Sequence, residues 1–299
     1  NAAFGTYSLT DNTTGSDNTA FGRASLTRNT TGSYNTAIGR GALDYNTTGA
    51  TNVAVGYSAL DANTTGSQNT ALGSNALTSN TTGAVNTAVG FQALGSSTAD
   101  SYNTAVGDSS LYTLNGGEYN TAIGYLSLRL ATTADNCTAA GYNALGSNTT
   151  GANNVAVGFH SLVANTTGGF NVAVGKDALT DNTTGANTIA IGSFASYKNT
   201  TAAGSVSIGE QANYWNNSAY DIAIGYKANK DTTGGDNTII GAFANYASGA
   251  GTGNTAVGKD VLYANTAGTE NTGVGKKVLD ANTTGNYNVG IGAYALSAN

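Results

Sequence analysis

One spacing governs this chain: a glycine that closes an Asn-Thr-Ala-Val-Gly-like motif returns about every 17 residues. It stands at Gly5, Gly22, Gly39, Gly56, Gly73, Gly90, Gly107, Gly124, Gly141, Gly158, Gly175, Gly192, Gly209, Gly225, Gly241, Gly258, Gly275 and Gly292. Of the 17 intervals, fifteen are 17 residues long and two, 209 to 225 and 225 to 241, are 16. The consensus reads N-T-A-[VIF]-G-x-x-[AS]-L-x-x-N-T-T-G-x-x. A fixed period of this kind dictates architecture. Helical repeats need about 33 residues or more per unit, and units this rich in Gly, Asn and Thr are poor helix formers.

Each unit instead reads as one coil of a stack. In "NTAFG" the side chains of Thr19 and Phe21 fall on one face of a strand, with Ala20 and Gly22 on the other. "NTTG" reads as a turn, because Asn tolerates left-handed backbone and Gly adopts it without steric cost. The sequence thus predicts an all-β chain: a parallel β-solenoid (β-roll) of about 18 coils, each with two short strands and two bends. Residues 1–299 form a single continuous array on this reading. The pattern decays at about 95–136 and 193–253, while the "xAxG" strand persists there. The two short coils are expected to lose their residue from a bend.

Positions within a coil are numbered relative to the anchor glycine. Thr or Val dominates at −3, Val, Ile, Phe or Leu at −1, Ala or Ser at +3 and Leu at +4. Asparagine fills −4 in 14 of 18 coils, with Cys137, Thr188, Ser205 and Asp221 in the others. Asn18, Asn35, Asn52, Asn69, Asn86 and Asn103 are expected to stack as an amide ladder beside Gly22, Gly39, Gly56, Gly73 and Gly90. Stacked amides satisfy one another's polar groups up the array. A coil filled by Ala, Gly and Asn has one interior, so the stripe at −1 (Val55, Val89, Val106, Ile123, Val157) needs a cover. An uncovered apolar stripe of this length marks an interaction surface, and the partner expected is another copy of the chain.

Composition narrows function by exclusion. The chain has 11 Lys and Arg against 17 Asp and Glu, no Pro, no Met, one Cys, one His and one Trp. No basic run exceeds Lys276–Lys277, which argues against nucleic acid. No apolar run approaches the roughly 18 residues that would span a membrane, so no membrane insertion is expected. The lack of Met leads us to expect a piece of a longer protein. His160 at a variable surface position and Cys137 in a ladder position offer no catalytic constellation. No acid pair recurs in phase, no phosphate-binding glycine loop is present, and a calcium-binding nonapeptide array would need an Asp in each coil. We therefore expect no enzyme, no catalytic residue, no cofactor and no metal.

Two surface features remain. Asn12, Asn29, Asn46, Asn63, Asn80, Asn148, Asn165, Asn182, Asn199 and Asn282 are N-x-T acceptors; either they carry glycans on a filament or they are plain turn residues. The stretch 193–253 gathers Tyr197, Tyr214, Trp215, Tyr220 and Tyr246, with Lys198, Lys227 and Lys230 among them. Rings with polar tips can form a glycan-binding surface, and drift in a tolerant half-coil gives the same residues.

The "NTAVG" and "NVAVG" motifs followed by "xxAL" resemble the head repeats of trimeric autotransporter adhesins. The 17-residue form with "NTTG" is similar to the repeat arrays of phage tail-fibre-like proteins. The resemblance covers the whole chain and implies a left-handed parallel β-roll in a homotrimer, extracellular or on a cell surface or virion fibre. The function expected is a structural fibre segment, a rigid spacer, with adhesion to cell-surface glycans as a second role. Another homo-oligomer or filament, a glycosylated filament and an ice-binding solenoid stand as rivals. Against ice binding, the two Thr of "NTT" are adjacent and diverge, and the −3 Thr gives way to Val at Val53, Val155 and Val172. A solenoid enzyme, such as a glycan lyase, would need charged clusters in a groove.

Overall fold

The computed structural model describes residues 1–215, 217–247 and 249–298. Asn216 and Ser248, both in the second irregular stretch, lie outside the described residues. The chain divides into two compact units, Asn1–Asn153 and Asn154–Asn299. Each is a parallel β-solenoid with nine three-residue strands, β1 (Ala2–Phe4) to β9 (Thr138–Ala140) in the first and β10 (Val155–Val157) to β18 (Val289–Ile291) in the second. No helix occurs among the described residues.

Within each unit successive strands pair in parallel at one-coil offset. Thr19 lies against Thr36, Ala20 against Ala37 and Phe21 against Ile38. The short coils keep this register at an offset of 16, Val206 against Ile222 and Ile222 against Thr238. Their missing residue comes from the segment that replaces "NTTG". On either side of it the coils still hydrogen-bond to their equivalents, through Trp215 N–H to Lys230 O before it and Tyr220 N–H to Ala203 O after it.

Only one strand forms per coil, where two were expected. The other half is prevented from extending by left-handed backbone at +2 and +4, as in Ala24 (φ 54°) and Leu26 (φ 52°). A third left-handed residue sits at −5, for example Tyr34 (φ 62°). Coil-to-coil hydrogen bonding nevertheless continues through these bends, from Leu26 N–H to Ala42 O (2.9 Å) and Tyr34 N–H to Ser16 O (3.0 Å). Such backbone is strained for non-glycine residues, at a cost of about 1–3 kcal/mol each. At +4 the cost is offset where Leu is fully buried, as at Leu26, Leu43, Leu60, Leu77 and Leu94, worth about 1.5–3 kcal/mol per side chain.

The interior is narrow. It holds Ala at −2 and +3, Leu at +4 and two columns of asparagine. The anchor glycine is required twice over. Gly22 has φ 139°, and a Cβ there would stand 2.5 Å from the carbonyl oxygen of Gly39. The "NTTG" glycine is needed for a reason other than a left-handed turn. Its φ is outside the left-handed range, and a Cβ on Gly32 would strike the carbonyl of Gly49 and come within 2.5 Å of Asn29 Oδ1.

Candidate functional site

Two asparagine columns run inside each unit, and they work differently. At −4 the side chain is a backbone bracket. Asn69 Oδ1 accepts from Asn86 N–H (3.0 Å), Asn86 Oδ1 from Asn103 N–H (2.9 Å), and Asn69 Nδ2 donates to Gly83 O (2.8 Å). Amide-to-amide contacts in this column are secondary, as between Asn35 Nδ2 and Asn18 Oδ1 at 3.2 Å. They do link Asn18, Asn35 and Asn52 in a ladder, and a second ladder, which the sequence did not suggest, runs through the "NTT" asparagines. Asn46 donates to Asn29 (2.8 Å), Asn63 to Asn46 (2.7 Å) and Asn80 to Asn63 (2.9 Å). Each of these Nδ2 groups also donates to its own "NTTG" carbonyl, Asn46 to Gly49 at 2.9 Å. The nitrogen that a glycan would occupy is thereby engaged inside the fold at Asn29, Asn46, Asn63 and Asn80, all fully buried.

Cys137 fits the −4 column as a donor substitute. Its N–H reaches Asn120 Oδ1 (3.0 Å) and its thiol donates to Gly151 O (3.3 Å), the role of an Asn Nδ2. His160 Nδ1 lies 3.8 Å from Asp177 Oδ1, the same position one coil on. Among the described residues no group of three or more His, Cys, Asp or Glu is placed to hold a metal ion.

The aromatic stretch proves to be two separate columns. Tyr197, Tyr214, Tyr246 and Tyr263 share position +5, with Lys230 between the second and third. Tyr197 stacks on Tyr214 (5.2 Å, 15°) and Tyr246 on Tyr263 (5.3 Å, 11°). Lys230 Nζ stands 5.8 Å from the Tyr214 ring and 5.3 Å from that of Tyr246, and Trp215 meets Tyr214 edge-on. Lys198 sits over Tyr197 and binds Asp181 at 2.7 Å, a hydrogen bond that holds its ammonium protonated above the ordinary range. Ring faces at +5 are turned to one another and to cations, while Trp215 and Tyr220 stay exposed. Tyr220 belongs elsewhere, in the −5 column, where a Cβ on Gly204 would come within 3.0 Å of its ring.

Beneath the +5 column the core itself changes. Where +4 Leu becomes Ser196, Asn213, Asn229 and Asn245, a third ladder replaces it. Asn213 donates to Ser207 Oγ (2.8 Å), Asn229 to Asn213 (2.8 Å) and Asn245 to Asn229 (2.7 Å), with Thr232 donating to Asn229 (2.7 Å). Ser196 closes the end on Ser207 at 2.7 Å. The change is coordinated across successive coils, which independent drift does not explain.

The remaining candidate is the outward face of the strands. Alternation buries −4 and −2 and leaves −3 and −1 accessible. Phe21, Ile38, Leu72, Ile123 and Val157 are exposed, and Val55, Val89 and Val106 half-buried. Across all 18 coils neither column contains a charged residue. The flanking outward positions were not singled out from sequence, although aligning the coils on the anchor shows them. Position −5 carries exposed Tyr34, Tyr102, Tyr119, Phe170 and Tyr287, and +1 carries Tyr57, Phe91, Tyr125, Tyr142 and Phe159. Both columns stack in places, Tyr102 on Tyr119 at 5.0 Å and Tyr125 on Tyr142 at 5.6 Å. Comparison with known proteins returned no match among protein families, curated proteins or solved structures.

Proposed function

We propose that this chain is a structural segment of an extracellular or virion fibre, a spacer that assembles with copies of itself, as a homotrimer. The observation that carries this reading is the charge-free, solvent-accessible face at −3 and −1. A face meant for water tolerates Lys and Glu, and none of this chain's 28 charged residues falls in either of those two columns. Burying the face recovers hydrophobic stabilisation of about 25 cal/mol per Å². The repeat's resemblance to adhesin-head and tail-fibre arrays supports three copies around a common axis. Adhesion to glycans is the lesser part of the reading, because the +5 rings are largely committed to each other.

Paired substitution tests it. Val89→Asp with Val106→Asp puts carboxylates into the face, whereas Thr65→Asp with Thr82→Asp puts them on the exposed bend of neighbouring coils. The first pair is expected to shift the sedimenting mass towards one chain and the second to leave it unchanged. Equal masses for both variants and the parent would refute assembly through this face.

A further inference from the structure

The two columns that border the apolar face carry opposite charge. Position −5 has three carboxylates, Asp17, Asp236 and Glu270, and no cation in the 17 coils that have this position. Position +1 has five cations, Arg23, Arg40, Lys176, Lys259 and Lys276, and two carboxylates, Asp108 and Glu210. Six positions separate −5 from +1 within a coil, at most about 20 Å of chain. Among the described residues no ion pair joins Asp17 to Arg23 or Glu270 to Lys276 within the chain. Asp17, Arg23, Glu270 and Lys276 all reach solvent.

We propose that the occupant of this face is a second copy of the chain, lying parallel and in register, with the −5 edge of one copy against the +1 edge of the next. The inference rests on the self-assembly reading and adds its direction and its contacts. Parallel faces turned towards each other bring −5 opposite +1 at every level. Asp17 then meets Arg23, Glu270 meets Lys276, Tyr34 meets Arg40 and Phe170 meets Lys176. No coil brings two like charges together. Antiparallel faces bring −5 against −5 and +1 against +1, so the first edge meets only acids among its charged residues and the second mostly cations. Like charges across an interface suppress the wrong arrangement. The apolar columns supply the stabilisation, and the edges select the orientation.

Charge reversal in the full-length chain reads this out by sedimentation equilibrium at low and high salt. Glu270→Lys and Lys276→Glu are each expected to weaken self-association about tenfold at low salt, less at high salt where exposed charges are screened. An equimolar mixture of the two single variants should associate better than either alone, because opposite edges again meet between copies. The double variant should recover the parent's association. Circular dichroism of each variant confirms that the coil stack is intact. A monomeric parent overturns the self-assembly reading and this inference together. An oligomeric parent whose variants associate unchanged overturns only the edge pairing, and rescue of Glu270→Lys by Lys259→Glu but not by Lys276→Glu overturns the register.

Discussion

At the scale of single residues the fold is held by positions that allow almost no substitution. The anchor glycine must accept both an unusual φ and the next coil's carbonyl, so Gly73→Ala (φ 139°) is expected to destabilise the first unit by about 3 kcal/mol or more, measured by thermal or denaturant unfolding. An unfolding midpoint equal to the parent's would contradict this role. Asp61 makes a pH-dependent case. Burial, and then the carboxylate of Asp44 one coil below, pushes its pKa from 3.8 up to about 6, with Arg28 opposing. Between those values the folded state holds the proton that the unfolded state has lost, so stability falls as pH rises from about 4 through about 6. Asp61→Asn should therefore raise the melting temperature at pH 8 and leave it nearly unchanged below pH 4. A gain of equal size at both pH values would contradict the assignment.

At the scale of the coil, stability depends on matching neighbours more than on matching the consensus. Asn229 stands where most coils have Leu, yet Asn229→Leu is expected to cost about 2–3 kcal/mol, because it takes one buried partner each from Asn213, Thr232 and Asn245. Equilibrium unfolding of the second unit checks this, and a stabilised variant would show that the polar ladder is incidental. The period, the parallel stacking, the inward Ala and the outward Val were all legible in the sequence, because each leaves a regular trace at a fixed distance from the glycine. What was not legible has a physical reason. The left-handed bends at +2, +4 and −5 are filled by residues such as Leu26, Thr51 and Val85, which ordinarily avoid that backbone. Inter-coil hydrogen bonds and Leu burial impose it, so local propensity gives no warning and the half-coil read as a strand. The "NTTG" asparagine read as a turn for the same reason, since a turn residue and a stacked amide share one sequence signature. Of the candidate ligand surface, the residues were legible and their arrangement was not. Spacing alone puts Tyr197, Tyr214 and Tyr246 in one column and Tyr220 in another, and only coordinates show rings stacked face to face.

At the scale of the whole molecule, an interior too thin to bury two faces goes together with an outer face that excludes charge in every coil. Hydrogen bonds between coils are local and repetitive, so they explain how each unit holds together and leave the outward columns unused. The assembly we propose would give those columns a purpose, and the opposed charges at −5 and +1 would give it a direction. The most direct measurement is the mass of the unmodified chain in solution, by sedimentation equilibrium at micromolar concentration. A homotrimer requires a stable species of three times the 29.7 kDa chain mass. A soluble, folded species at 29.7 kDa, with no larger form across that range, would contradict it.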